Sequence, residues 1–371
     1  MTREVETVVV GGGPAGAAVA ALLAEAGREV VLLERERVAR PKVCGEFVST
    51  EALAAAERLG LDAFALGAAG IDRVRLTWRG REASAGLPFL AAGLSRGVLD
   101  RALLDGAAAR GTDVRRGASV RRIEPVAGGA TVVCDRFEIG ARRVVLATGK
   151  HDLGAVQRST RWPGRDRMLG LKMHLRLAPE AAARLGRHVE LHVFAGGCAG
   201  LQPVEGGMAN LCVTLDRERY RRVGGLFEAL LAALGRENRG LGEALAGAAW
   251  AWPRPAAIAR VPYGFIRPAD GEGPVWHVGD QVAVTPSFTG DGLAMALESG
   301  IAAAEAIIAG RPRHAFEAGF AARAGRQMRP AMRLQAAVDR PRLHRPAMAA
   351  ARFAPGILSA LARRTRLPAA S

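Results

Sequence analysis

The stretch "VETVVVGGGPAGAAVAALLAEAGREVVLLERE", residues 5–36, decides the fold. Val8–Val10 form a short continuous apolar run, the mark of a buried parallel strand. Gly11, Gly13 and Gly16 then fit G-x-G-x-x-G. Gly11 permits the tight turn, Gly13 lets backbone N–H groups approach a pyrophosphate, and Gly16 lets the following helix pack against the strand. That helix ends near Gly27, and a second apolar strand, Val30–Leu33, runs to Glu34. Glu34 lies 18 residues after Gly16 (34 − 16), near the offset of an acid that hydrogen-bonds ribose hydroxyls and repels a 2′-phosphate. Strand, glycines, helix, strand and terminal acid in one unit of this size predict a dinucleotide clamp. Residues 7–24 carry no charge and approach the length of a membrane span, but the Gly11-Gly12-Gly13-Pro14 block favours the strand–turn–helix.

The totals leave room for more than this unit. A chain of 371 residues, 49% hydrophobic, is long enough for about two domains. Cys44, Cys134, Cys198 and Cys212 are scattered without a C-x-x-C pair, so neither a disulfide framework nor a metal site is expected, and a cytoplasmic setting is. Glu4 and Glu6 spoil the basic start of a signal peptide. The net charge is +16, carried almost wholly by arginine, since lysine occurs only at Lys42, Lys150 and Lys172. With aromatics at 5% and no basic block interleaved with them, nucleic acid is not the expected partner.

Three segments together resemble the p-hydroxybenzoate-hydroxylase-fold flavoproteins, a family that includes aromatic hydroxylases, geranylgeranyl reductases and flavin halogenases. They are "GGGPAG" at 11–16, "LATGK" at 146–150 and "VWHVGDQVAVTPSFTGDGLAMALESG" at 275–300. The resemblance implies an α/β fold: a Rossmann-like (GR2-type) FAD-binding domain, an antiparallel-sheet substrate domain and C-terminal helices. The expected division gives the FAD-binding domain residues 1–73, 93–165 and 266–310. The substrate domain takes 74–92 and 166–265, and a helical arm takes 311–371.

The resemblance also assigns cofactor contacts. Gly11, Gly13, Pro14, Ala15, Gly16, Glu34 and Arg35 hold the nucleotide, Arg96 touches the phosphates, and the backbone near Val120 meets the adenine. Asp280, after Gly279, serves the ribityl chain, and Gly149 of "LATGK" is a further cofactor contact. Pro286, Gly290, Gly292 and Leu293 wrap the flavin ring, with the helix starting near Gly290 aimed at it. A helix N-terminus there would stabilise the charge that builds on reduction. Gln281-Val282-Ala283 stand where the family usually has Ala-Ala-His.

"RPKVCGEFVS" (40–49) resembles the geranylgeranyl-reductase-like branch, which places the cysteine, here Cys44, beside flavin and substrate; Lys42 and Gly45 are further candidate cofactor contacts. Cys44, Glu46, His151, Lys172 and Tyr263 are the candidate catalytic residues, with His174 a further polar candidate. Glu46 suits proton donation if buried, while Lys172, mid-strand amid apolar neighbours, is expected to reach solvent. "WAWP" (250–253) fails the halogenase W-x-W-x-I-P spacing, so Trp250 and Trp252 read as packing or pocket wall.

The expected activity is an FAD-dependent monooxygenase that hydroxylates an apolar aromatic or polyketide- or lipid-like molecule through a flavin C4a-hydroperoxide. The alternatives are a reductase of C=C bonds, a halogenase, or a non-catalytic binding protein of the same fold. No second glycine-rich clamp appears, so electrons are expected from transiently bound NAD(P)H or a partner reductase. The arm at 311–371, broken by Pro330, Pro341, Pro346 and Pro355, holds a basic amphipathic segment, "FAPGILSALARRTRL". That segment suits core docking, dimerisation or peripheral membrane contact.

Overall fold

The computed structural model describes residues 4–153, 158, 168–269 and 272–368. The apolar run that follows the amino terminus becomes β1 (Glu4–Val10), then α1 (Pro14–Glu25) and β2 (Val30–Glu34). β1 pairs in parallel with β2. The helix α1 is buried along most of its length and consists largely of alanine and glycine. Those small side chains let another helix lie almost on its backbone, because a Cβ on Gly300 would fall 2.4 Å from Ala15 O.

The chain next makes β3 (Phe47–Val48), α2 (Thr50–Arg58), β4 (Ala69–Trp78) and β5 (Arg81–Gly93). It returns through α3 (Arg96–Ala109), β6 (Asp113–Arg116), β7 (Val120–Val126), β8 (Gly129–Cys134) and β9 (Glu138–Leu146). The first sheet has the order β6-β2-β1-β9-β8-β7. Its parallel half binds α1 on one face, and β7–β9 form an antiparallel meander.

The second sheet takes β10 (Met168–Arg176), then, after α4 (Pro179–Leu185), β11 (His188–Phe194), β12 (Gly197–Pro203) and β13 (Ala209–Asp216). Helices α5 (Arg217–Arg222), α6 (Phe227–Glu237) and α7 (Arg239–Leu245) follow, with α6 and α7 covering its outer face, and then short strands β14 (Ala249–Trp250) and β15 (Ala256–Ala259). The order is β14-β10-β13-β12-β11-β4-β5-β3, with β15 on β10. All pairs are antiparallel except β11 with β4. The early strands of this sheet run from Ala69 to Gly93, wider than the expected 74–92, and it also recruits Phe47–Val48.

β16 (Val275–His277) rejoins the first sheet beside β9 and leads to α8 (Gly292–Ile308), which packs on α1. The arm forms α9 (Arg313–Val338), α10 (Pro341–Phe353) and α11 (Gly356–Arg364). Pro341 and Pro355 sit at helix starts as expected, but Pro330 and Pro346 lie inside helices. Around Pro330 the buried face continues from Phe316, Phe320 and Met328 to Met332. Burial on both sides outweighs the one lost backbone hydrogen bond.

Candidate flavin site

Glycine at the first turn is a packing requirement. Gly11 has φ +108°, and a Cβ there would lie 2.5 Å from Ala147 O; on Gly16 it would lie 2.0 Å from Gly11 O. Gly13 caps α1, with Pro14 in the first turn. At the end of β2, Glu34 is buried; its Oε2 accepts from Gly12 N–H (2.8 Å) and its Oε1 from Glu36 N–H (3.0 Å). Ala118 N–H donates to Glu34 O (3.0 Å), which brings the start of β7 at Val120 to the same corner. The Arg96 guanidinium lies over the glycine turn, 3.6 Å from a Cβ built on Gly13.

Arg96 grips Asp100 through Nε (2.7 Å) and Nη2 (2.8 Å), and Lys42 Nζ adds a third contact at 2.9 Å. Burial pushes the Asp100 carboxyl up, but Arg96 and Lys42 together hold it below the usual range. Arg35 is exposed and its Nη2 meets His151 Nε2 at 3.0 Å. His151 is exposed there, and the structure does not bring it to the other catalytic candidates.

The second grip is built from "LATGK" and the turn after β16. Gly279 has φ +61°, and its N–H donates to Ser299 Oγ (2.7 Å). Gln281, which in the sequence stands out only as a departure from the family's Ala-Ala-His, is a rivet. Its Nε2 lies 2.9 Å from each of Thr148 Oγ1, Gly149 O and His151 O. A Cβ on Gly149 would lie 3.8 Å from Asp280 Oδ2, so these two candidates adjoin. Pro286 leads into a short turn, Ser287–Thr289, and Gly290 follows at φ +70° with Phe47 against it.

The helix itself starts two residues later than Gly290, at Gly292, behind the fully buried Asp291. Asp291 Oδ2 accepts from Gln327 Nε2 (2.8 Å), and Oδ1 faces Arg366 Nη1 at 3.2 Å. Burial pushes this carboxyl up to about 6, against the opposing pull of Arg366. Leu293 points its side chain into the core.

Two glycines have no such packing reason. A Cβ on Gly45 or on Gly292 would meet nothing within 4 Å. Bare backbone facing open space at the start of a helix fits a flat ring, as a flavin requires. With the glycine turn, Glu34 and Arg96 at the other end, the residues present fit FAD.

The 40–49 loop is fastened to the second sheet. Asn210 Nδ2 donates to Gly45 O (2.7 Å) and Cys44 O (3.2 Å), and Lys150 Nζ donates to Val43 O (3.1 Å). Glu46 is fully buried with φ +58°. Its Oε1 accepts from Lys172 Nζ and from Arg96 N–H (2.6 Å), and its Oε2 from His174 Nε2 (2.5 Å). Lys172, expected at solvent, is 1% exposed, because the Glu46 carboxylate and the Trp252 ring (5.8 Å) receive its charge.

Burial pushes the Glu46 carboxyl up, but His174 and Lys172 outweigh it and hold it below the ordinary value. It is therefore ionised, which suits a clamp and not the proton donor the sequence suggested. Cys44 Sγ accepts from Glu46 N–H at 3.3 Å. Trp252 lies on His174, with centroids 4.8 Å apart.

Tyr263 is buried among Met168, Val261, Phe265 and Val284. Its hydroxyl bonds Ser287; burial pushes its pKa up, against Lys150 and Ser287. Ser287 Oγ in turn meets Thr214 Oγ1 at 3.1 Å.

Thr214 and Ser287 open onto a cavity of about 290 Å³. Its walls are β4, β5 and β11–β13 on one side, the 287–290 turn and Gly45 at one end, and α9–α11 across the top. The lining is mostly aliphatic and aromatic, including Phe47, Leu76, Leu191, Phe288, Leu334 and Leu361. Trp250 and Trp252 are not among its walls. The C-terminal arm thus closes the cavity, a role its sequence signalled only through the buried spacing His344, Met348, Ala351.

Comparison with known proteins agrees with this geometry. Residues 4–156 match the FAD binding domain family. A menaquinone reductase of Mycolicibacterium smegmatis (strain ATCC 700084 / mc(2)155) is 29% identical over 335 residues, covering 84% of this chain and 78% of that protein. Among solved structures, the flavin-dependent brominase Bmp2 superposes with a TM-score of 0.79 at 16% identity, covering 98% of this chain and 93% of that one. The myxobacterial chondrochloren halogenase CndH gives a TM-score of 0.76 at 18% identity, covering 97% and 91%. At such identities the two structures speak for the fold.

Proposed function

We propose that this chain, which belongs to the FAD-binding flavoproteins of the p-hydroxybenzoate-hydroxylase fold, is a reductase that saturates a carbon–carbon double bond in a long apolar substrate such as a tailed quinone. FAD-dependent oxidoreduction is common ground for its relatives. The choice of reduction over the hydroxylation favoured by the sequence rests on one observation: the apolar cavity that ends at Gly45 and Gly290. Its walls recognise length and apolarity and offer few groups to orient a polar aromatic ring. The name of the M. smegmatis relative points the same way, since menaquinone joins a quinone to a long hydrocarbon tail.

FAD, when bound and reduced, supplies the hydride equivalent; the chain supplies the rest. The cavity excludes water and aligns the tail. Glu46, through Lys172 and His174, fixes the Cys44-Gly45 backbone at the cavity's end. The second hydrogen arrives as a proton. It travels from water along the hydroxyl file Tyr263, Ser287, Thr214 to the wall; each hydroxyl gives one proton forward and takes one from behind, so no tyrosinate is left in the core, where burial disfavours it. Electrons come from NAD(P)H or a partner reductase.

The test is product mass. Holoprotein reduced anaerobically with NADPH, NADH or dithionite is given menaquinone, and the extract is then exposed to air. A gain of two hydrogens that survives air is the expected result, because a simple quinol reoxidises to its starting mass. A product that gains oxygen only when O2 is supplied would assign hydroxylation instead, and an unchanged tail would overturn the reading.

A further inference from the structure

The roof of the cavity has an unusual outer surface. On α10, His344, Met348 and Ala351 face inward, with His344 edge-on to Trp78 (6.1 Å). At helical spacing on the far side, Leu343, Pro346, Ala347, Ala350 and Phe353 form an exposed apolar stripe. Phe353 is 91% exposed. Ile357 extends the stripe onto α11, which buries no residue completely. Ala347, Ala350 and Ile357 are exposed and also line the cavity, so the cavity reaches the surface through this stripe. Exposed arginines border it: Arg342, Arg345 and Arg352 on the adjoining face of α10, and Arg363 and Arg364 at the end of α11. Among the described residues no helix is long and apolar enough to cross a membrane.

An apolar stripe edged by arginine on amphipathic helices complements an anionic lipid surface, with apolar groups among the acyl chains and guanidinium groups at the phosphates. We infer that α10 and α11 dock on an anionic bilayer, and that the cavity mouth between them receives its apolar ligand directly from the lipid. The ligand's identity rests on the proposed function; the docking does not. Substrate then crosses no water between membrane and flavin.

Flotation with vesicles tests this, with bound flavin absorbance as the readout. Holoprotein is mixed with vesicles of phosphatidylcholine alone or with added phosphatidylglycerol. Binding is expected to the anionic vesicles and to be lost at high salt. Phe353→Asp should weaken it roughly tenfold, and Arg342→Glu with Arg345→Glu by roughly fivefold per arginine. Both variants alter exposed side chains and should keep a full complement of FAD. Equal binding to both vesicle types, no binding, or variants that bind like wild type would overturn the inference. So would a protein dimer that Phe353→Asp dissociates without any vesicle binding. Vesicle binding without menaquinone turnover would leave the docking standing and remove the proposed function.

Discussion

Glu46 and Asp291 are both carboxylates with 0% exposure, one on the loop before β3 and one at the start of α8. They are held in opposite protonation tendencies. Glu46 has two basic side chains and a backbone N–H on it, and its pKa is lowered. Asp291 has one guanidinium at 3.2 Å, neutral donors from Gln327, Ser49 and the Leu367 backbone, and the Glu51 carboxylate nearby, and burial pushes it up to about 6. Equal burial therefore does not set a buried acid's charge; the balance of charges around it does, two basic side chains on Glu46 against one guanidinium offset by Glu51 on Asp291. The first region is a fixed clamp, and the second is a joint between the C-terminal arm and the α8 start that titrates near neutrality.

Breaking the clamp should have the largest effect. Glu46→Ala leaves Lys172 buried without its anion and should cost about 3–5 kcal/mol, read as a fall in Tm. A change under about 1 kcal/mol would mean that the pair behaves like a surface contact.

The joint gives a smaller, pH-dependent signal. Because the folded pKa of Asp291 is raised to about 6, the folded chain holds a proton that the unfolded chain has released. This contribution is complete at low pH and is lost as pH rises from the ordinary aspartate range through about 6. Asp291→Asn should abolish a slope worth on the order of 3 kcal/mol, seen by comparing Tm against pH for the two proteins. Glu46 works the other way: its contribution is present above the ordinary glutamate range and fades as pH falls below it. The smallest effect is expected from Trp252→Leu, which removes one ring face from Lys172 while leaving Glu46 in place. About 1 kcal/mol is the expected loss, and a loss as large as that of Glu46→Ala would shift the clamp's weight from charge to packing.

The glycine turn and the Glu46 clamp differ in how far the sequence revealed them. At Gly11 and Gly16 a backbone requirement is written in residue identity, because nothing larger fits, so the turn and its strands could be read directly. The order of "LATGK", Gly279-Asp280 and Gly290 along the chain was equally legible. The Glu46 clamp was not. Lys172 and His174 lie two apart on β10 and so share a face, a signal that was available. Their partner is 126 and 128 residues away, where no local pattern reaches. The role of Gln281 was hidden for a similar reason: its three acceptors lie more than 100 residues earlier. The arm's prolines misled because burial of a helix face outweighed local preference.

The central claim is that one FAD reaches from the glycine turn to the open backbone at Gly292. Titration of apoprotein with FAD and with ADP, its nucleotide half, tests this in wild type and Gly292→Leu. The new side chain meets no protein atom near its Cβ, so apoprotein Tm and ADP affinity should hold while FAD affinity falls roughly tenfold or more. An FAD affinity equal to that of wild type would contradict the placement of the flavin ring, and with it the account.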